Sequence, residues 1–199
     1  MEITLNNPGI YNVDVAYLKH LHDDVDSEVY YAPDKYDTKP FLGIIVGIGN
    51  YTYFIPFSSS KVRHLKWKNV APDHYLIYEI VNKNILSRNA VCKPHKGDLV
   101  LHILAALDIK KMIPVPNGLY NKVDFNSVSD RAYKSLLEKE YRFCLSIQDG
   151  IVERVRRMYT EQKSTGTVPR FYCNFSKLEK ACDEYKEMQS ESIQDDFDE

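Results

Sequence analysis

The alternation of apolar and polar positions predicts a β-hairpin over residues 41–64, FLGIIVGIGNYTYFIPFSSSKVRH. Its first part is nearly all aliphatic, which is typical of a strand buried on both faces. Gly49 and Asn50 form a tight-turn dipeptide, and the second part alternates aromatic and β-branched residues as far as Pro56. The hairpin is therefore expected to bring residues 58–61, SSSK, to a surface.

Helical periodicity is found near the start of the chain and in its last third. Apolar residues at three- and four-residue steps predict an amphipathic helix within residues 13–25. The same steps predict a long helix over residues 129–160, with Asp130 as its cap and Gly150 as a kink or a division. A last helix is expected over residues 176–189, capped by its first serine.

The other segments are assigned by shorter patterns. Residues 74–81 alternate as a strand does, and residues 82–100 are expected to form a loop. Residues 99–116 begin as a helix or a strand and end extended, because prolines forbid a helix there. Short strands are predicted at residues 1–5, ended by NNPG, and at residues 170–175. The chain is therefore predicted to be one α+β domain over residues 1–189, with a flexible acidic tail at 190–199.

Composition limits the classes of function. The formal charge is -2, but the last ten residues hold five acids and no base, so the remainder carries 26 basic and 23 acidic residues. Four cysteines without metal-ligand spacing, and no signal peptide, predict a cytoplasmic protein with reduced thiols. No apolar run approaches the length of a membrane span. Fifteen tyrosines weakly favour contacts with nucleic acid or a partner.

A cationic segment follows the predicted hairpin. Four cations occur within eight residues without an acid, interleaved with a histidine and a tryptophan: Lys61, Arg63, Lys66 and Lys68, with His64 and Trp67. Such a run is either a solvated face or a surface that binds a polyanion. The serines before it either form a turn with local hydroxyl–backbone bonds or supply a Ser59–Lys61 pair for catalysis. No spacing typical of a metal or nucleotide cofactor occurs, so none is expected.

Several blocks in a fixed order resemble the ToxN/AbiQ family, the endoribonuclease toxins of type III toxin–antitoxin systems. They span about residues 13–145 and read VAYLKHL, KPFLGIIV, FSSSKVRH, KKMIPVP and AYKSLLEKEYRF. The resemblance implies a compact twisted antiparallel sheet like that of the MazF/Kid toxins, flanked by helices, with long C-terminal helices. Ser60 stands where the family usually has proline.

The resemblance also implies an activity and partners. The activity is metal-independent cleavage of single-stranded cellular or phage RNA, in which the 2′-OH attacks phosphorus and leaves a 2′,3′-cyclic phosphate and a 5′-OH. The partner is an RNA antitoxin, a repeated pseudoknot-forming small RNA that the toxin also processes, in a closed protein–RNA oligomer. The role implied is phage defence by abortive infection.

The family's motifs imply roles for individual residues. Ser59 and Lys61 match the catalytic pair, with Ser58 in support. The residues expected to bind RNA are Lys39, Tyr36, Tyr17, Arg63, His64 and Tyr133. Tyr36 matches only if one residue is deleted. Lys61, His64 and Tyr36 are all candidates for proton transfer. A non-catalytic RNA-binding module is the alternative function, and a toxin that acts on a protein partner is a third.

Overall fold

The computed structural model describes residues 6–31, 41–48 and 50–195. Over these residues the chain forms an antiparallel sheet of eight strands with helices against it, which confirms the α+β class. The strands are β1 (Asn6–Val13), β2 (Phe41–Ile48), β3 (Tyr51–Ser59), β4 (His74–Asn82), β5 (Cys92–Pro94), β6 (Leu99–Asp108), β7 (Ile113–Pro114) and β8 (Tyr120–Lys122). The helices are α1 (Val15–His20), α2 (Arg131–Ser146), α3 (Gln148–Thr165) and α4 (Phe175–Asp195).

The predicted hairpin is confirmed and lies in the middle of the sheet. The strand order is β4–β6–β3–β2–β1–β8, with β5 paired to β6 and β7 paired to β3. Phe41 of β2 lies opposite Pro56 of β3. The second strand continues past Pro56, where the sequence pattern ended it, and Ser59 pairs with Ala105 of β6. Because β6 comes from a distant part of the sequence, the local pattern could not show this extension.

Four other assignments are settled by strand pairing. Residues 74–81 lie in β4 as predicted, and the ambiguous apolar run at 99–108 is a strand, because it pairs with both β3 and β4. The predicted loop at 82–100 is wrong in part, since it contains β5. The predicted break at NNPG is also wrong, because it lies within β1. An irregular register between Asn6 and Gly9 accommodates the proline there.

The first helix begins two residues later than predicted. Asp14 caps α1 by accepting the Tyr17 N–H at 2.8 Å. The helix then continues as a π-helical turn over Leu21–Val25, which is where the predicted helix ends. This cap sets which residues of α1 face the sheet, and Tyr17 and Leu18 are the buried ones.

The predicted long helix is two helices, and they are not divided at the glycine. Asp130 caps α2 as predicted, accepting the Ala132 N–H at 2.8 Å. The division falls at Ile147, whose φ of -121° is not helical. Gly150 lies inside α3, where a Cβ atom would come within 2.5 Å of the Tyr75 hydroxyl. The glycine is therefore needed for close packing of α3 on β4, and not for a kink.

The strand predicted at residues 170–175 is wrong. These residues form a turn in which Phe171 has a φ of 68°, incompatible with a strand. The cap of the last helix is also corrected: α4 begins at Phe175, and the Asn174 side chain accepts the Lys177 N–H at 3.1 Å. The helix continues to Asp195, beyond the residue 189 at which the pattern ended it.

The sheet has a buried cluster on each face. Successive residues of a strand point to opposite faces, so Ile77 and Leu76 of β4 belong to different clusters. The larger cluster lies between the sheet and the long helices. The smaller one contains Leu76, Ile103 and Ala106, and Trp67 packs against it. This smaller cluster anchors the cationic segment. Over the described residues, every helix is too short or too polar to cross a membrane.

Candidate active site

At the end of β3, the two serines predicted to belong to the site, Ser58 and Ser59, differ in exposure. Ser58 pairs with Ala106 and is fully buried, whereas Ser59 pairs with Ala105 and is exposed. The difference follows from the alternation of strand side chains between the two faces. Ser59 is thus accessible to a bound molecule, and Ser58 supports the strand from beneath. Over the described part of the chain, the Ser58 Oγ atom has no hydrogen-bond partner.

Lys61 begins a short 3₁₀ helix, Val62–Lys66, that folds back over the end of the strand. The Lys61 N–H donates to Nδ1 of His64 at 3.2 Å, and the His64 N–H donates to the Lys61 carbonyl at 2.8 Å. The side chain of Lys61 is exposed, as is that of Ser59. The hydroxyl and the ammonium group therefore lie at the exit of a buried strand, with their backbone held by His64.

His64 is expected to contact RNA; the structure places its side chain in the interior, and the role in RNA binding stays a prediction. The side chain is fully buried, and its ring centroid lies 4.6 Å from that of Trp67. Burial, together with the nearby charges of Arg63 and Lys61, lowers the pKa of His64 to about 4. The ring is therefore neutral near pH 7, and since Nδ1 accepts from Lys61, its proton is on Nε2. His64 orders the loop through its two hydrogen bonds with the Lys61 backbone.

Trp67 fastens the cationic segment to the sheet. Its ring is tilted against those of His64 and His74, with centroid distances of 4.6 and 4.5 Å. Lys93 donates to the Trp67 carbonyl at 2.5 Å, and the Nε2 atom of His74 lies 3.1 Å from the Lys68 carbonyl. These partners come from β4 and β5, and no local sequence signal identifies them.

The cations of this segment are exposed, and among the described residues they have no acidic partner. Within the part of the chain that the structure describes, no carboxylate forms an ion pair with Lys61, Arg63, Lys66 or Lys68. Lys110 behaves differently, because its ammonium lies 2.9 Å from Asp73 and 3.1 Å from Asp108. The segment therefore presents uncompensated positive charge, which suits a polyanion. Arg63 also lies 5.7 Å from the centre of the Trp67 ring.

Tyr17 is also expected to contact RNA; the structure places its side chain in the interior, and the role in RNA binding stays a prediction. The side chain is fully buried, and its hydroxyl donates to the Pro114 carbonyl at 2.9 Å. Its ring packs edge-on against Tyr185, at 5.0 Å between centroids. Burial raises the pKa of Tyr17 far above its usual value. The Asp14 cap orients α1 with this face inward, so Tyr17 ties α1 to β7 and α4.

The remaining predicted residues are placed less directly. Tyr133 lies in the first turn of α2 with 41% of its surface exposed, so a role in RNA binding stays a prediction. Lys39 and Tyr36 lie outside the described residues. The structure thus leaves Ser59, Lys61 and Arg63 exposed at the end of β3 and in the segment that follows it. Over the described residues, no group of three His, Cys, Asp or Glu side chains is arranged to hold a metal ion.

This geometry defines an α+β protein that presents a hydroxyl and unpaired cations at the end of a buried hairpin. The chain belongs to the ToxN family: the family model for "Toxin ToxN, type III toxin-antitoxin system" matches residues 9–183. The match includes the hairpin, the cationic segment and the first nine residues of α4. It confirms the family inferred from the ordered sequence blocks.

Curated relatives agree with this assignment. The chain is 25% identical over 191 residues to endoribonuclease ToxN of Bacillus thuringiensis subsp. kurstaki, covering 92% of this chain and 86% of the relative. It is 26% identical over 170 residues to endoribonuclease ToxN of Pectobacterium atrosepticum, covering 83% and 85%.

Solved structures show the same fold. AbiQ, a lactococcal anti-phage endoribonuclease of the type III toxin–antitoxin class, matches with a TM-score of 0.68 at 19% identity, covering 92% of this chain and 99% of that one. A structure concerning selective toxin inhibition by a non-coding RNA pseudoknot matches with a TM-score of 0.66 at 24% identity, with the same coverage. The similarity to the MazF/Kid sheet stays a prediction.

Proposed function

We propose that this ToxN-family toxin is an endoribonuclease that cleaves single-stranded RNA at the loop formed by residues 58–61. The observation that carries the proposal is the exposed Ser59–Lys61 pair beside unpaired cations, in a chain whose ToxN relatives are endoribonucleases. A polyanion bound along the cationic segment contacts this pair, because Lys61 belongs to both. Its affinity should fall steeply with salt, because binding releases counterions from the phosphates.

The proposed reaction is an internal transesterification. The 2′-oxygen of one ribose forms a bond to the adjacent phosphorus as the bond to the 5′-oxygen of the next nucleotide breaks. The 2′-OH proton leaves to a base, and the departing 5′-oxygen gains a proton. The products are a 2′,3′-cyclic phosphate and a 5′-OH. Because the nucleophile belongs to the substrate, the protein supplies alignment, charge stabilisation and proton transfer.

Lys61 and Ser59 suit the charge stabilisation. The Lys61 ammonium is a compact cation for the non-bridging oxygens of phosphorus, where negative charge increases in the transition state. The Ser59 hydroxyl donates a hydrogen bond to the same oxygens. Both groups stand on backbone fixed by β6 and His64, so little reorganisation is needed when RNA binds.

The burial of His64 narrows the candidates for proton transfer. A ring that is fully buried, with Nδ1 engaged by the Lys61 N–H, cannot exchange a proton with bound RNA. Lys61 and Tyr36 remain as candidates. His64 instead fixes the Lys61 backbone, which makes it a positioning residue in the proposed mechanism.

The relatives also support a proposal for regulation. One solved relative concerns toxin inhibition by a non-coding RNA pseudoknot, and another concerns a processed non-coding RNA that regulates an antiviral system. We propose that this toxin is likewise inhibited by a repeated pseudoknot-forming RNA that it processes itself, in a closed protein–RNA oligomer. Its place is the cytoplasm, and release of the toxin cleaves cellular or phage mRNA during abortive infection.

A cleavage assay with EDTA tests the proposed function. Purified protein is incubated with a single-stranded RNA, and products carrying 2′,3′-cyclic phosphate and 5′-OH ends are expected. Lys61→Ala should abolish cleavage while leaving the thermal unfolding midpoint unchanged, because the side chain is exposed and unpaired. Lys66→Ala is the matched control and should reduce affinity only slightly. RNA binding without cleavage by the wild type would establish the non-catalytic RNA-binding module instead.

A further inference from the structure

Phe171 is an exposed aromatic residue on a strained turn. Its side chain is 54% exposed, and it alone among the described non-glycine residues has a left-handed φ, of 68°. Bulky residues rarely adopt this conformation, and those that do are concentrated at functional sites. The Arg170 guanidinium lies 4.5 Å from the centre of the Phe171 ring. The turn therefore presents a guanidinium and an aromatic ring together at the surface.

The turn is held rigidly on the side that follows Phe171. The Tyr172 N–H donates to the Pro169 carbonyl at 3.1 Å, and the Cys173 N–H donates to the Lys110 carbonyl at 3.0 Å. The buried Gln162 side chain donates to the Cys173 carbonyl at 2.9 Å. With its backbone fixed in this way, Phe171 loses little conformational freedom when a flat group binds it.

Lys110 connects this turn to the cationic segment. Its carbonyl holds Cys173, while its ammonium lies 5.3 Å from the centre of the Trp67 ring. Trp67 packs on His64, which in turn accepts the Lys61 N–H. One continuous set of contacts therefore runs from the catalytic loop to the turn. The turn is therefore connected to the cationic segment through Lys110 and Trp67.

We propose that the Arg170–Phe171 pair stacks a base of single-stranded RNA outside the cleaved dinucleotide. The chemistry favours RNA, because a guanidinium stacks on aromatic planes and also binds phosphate, and because the neighbouring cationic segment is unpaired. Every base has an aromatic face, so this contact adds affinity with little sequence preference. The inference rests on the proposed endoribonuclease function and extends its substrate site.

Phe171→Gly is the decisive variant. It removes the ring and also permits the left-handed backbone, so the protein should be at least as stable as wild type. Affinity for a 2′-O-methyl single-stranded RNA, which cannot be cleaved, should fall about 5- to 100-fold, the usual effect of losing one base–aromatic stack. Phe171→Tyr should retain wild-type affinity. Ile85→Ala, which truncates another exposed apolar side chain, should leave affinity unchanged.

The outcomes separate this inference from the proposed function. Wild-type protein that binds and cleaves RNA, together with unchanged affinity in Phe171→Gly, overturns the stacking role alone. A wild type that neither binds nor cleaves single-stranded RNA overturns the proposed function and this inference with it. If the glycine variant unfolds, Phe171→Leu replaces it, since an apolar side chain without an aromatic face should show the same loss.

Discussion

The two faces of the central hairpin bury polar groups in contrasting ways. On the helix side, Glu179 is buried and accepts hydrogen bonds from the hydroxyls of Tyr53 and Tyr159, at 2.8 and 2.7 Å. Lys163 also donates to it, at 2.5 Å. On the opposite face, Ser58 Oγ and His64 Nε2 are buried without hydrogen-bond partners in the described part of the chain.

This difference separates a structural network from a functional one. A fully partnered buried carboxylate ties β3 to α3 and α4, and removing it would leave several groups unpaired at once. Buried polar groups without a partner cost stability, and they are often found at functional sites. Ser58 adjoins Ser59 in β3, and His64 binds the backbone of Lys61, so both buried groups neighbour the residues proposed to act on RNA. Each of the following experiments tests this contrast.

The largest effect is expected at Glu179. Glu179→Leu removes the acceptor of two buried tyrosine hydroxyls and one ammonium, and should lower the free energy of unfolding by about 3–5 kcal/mol. Chemical denaturation measures the change. Glu184→Gln is the control, because Glu184 forms an exposed ion pair with Lys180, worth at most about 0.5 kcal/mol. Similar stability of the two variants would show that the Glu179 network does not hold the fold.

Ser59→Ala and Ser58→Ala should differ in their effect on RNA cleavage, and neither should lower stability. Ser59→Ala should lower kcat/KM for RNA cleavage by about 10²–10³ without affecting stability, because it removes an exposed donor to the transition state. Ser58→Ala should affect activity far less and leave stability equal or higher, since its buried hydroxyl has no partner to lose. Steady-state kinetics measures kcat/KM for both variants, and thermal denaturation measures their stability. Equal losses of activity would contradict the assignment based on strand alternation.

His64 should make stability depend on pH. Because burial lowers its pKa from 6.5 to about 4, the unfolded chain binds a proton in this range that the folded protein does not. The stability it contributes is complete above pH 6.5 and is lost as the pH falls towards 4, by roughly 2–3 kcal/mol in total. His64→Asn removes this titration but keeps an acceptor for the Lys61 N–H.

The measurement is the difference in unfolding free energy between wild type and His64→Asn across pH 4–7. As the pH falls, the unfolding free energy of the wild type should decrease relative to that of His64→Asn. Burial raises the pKa of Glu140 to about 7, which acts in the opposite direction but equally in both proteins. Parallel curves would contradict a buried neutral ring. Near-complete loss of cleavage by His64→Asn at pH 7 would support a role for His64 in proton transfer.

Tyr17 should give the smallest effect. Tyr17→Phe removes the hydrogen bond to the Pro114 carbonyl and should cost about 1 kcal/mol of stability, because a buried acceptor loses its partner. RNA affinity should not change. If Tyr17→Phe clearly lowers RNA affinity without lowering stability, Tyr17 takes part in RNA binding.

The sequence by itself determined the features that depend on neighbouring residues. Apolar periodicity located the hairpin, the helix near the N-terminus and the late helical region, and Asp130 was identified as a cap from its position alone. Ordered sequence blocks identified the ToxN family, which the family model confirms. These results are accessible because turns, caps and amphipathic faces are set by side chains only a few positions apart.

The tertiary structure decided which of the predicted residues can reach a substrate. Ser59 and Lys61 are exposed, while Ser58, His64 and Tyr17 are buried, although all five belong to polar or aromatic residue types suited to binding RNA.

The physical reason is that burial depends on partners far away in the sequence. Ser58 pairs with Ala106 of β6, and His74 of β4 packs on the Trp67 ring that lies against His64. Pro114 accepts the hydroxyl of Tyr17 across 97 positions. Such contacts form only when the chain folds, so local patterns identify the residue types in a site but not their accessibility.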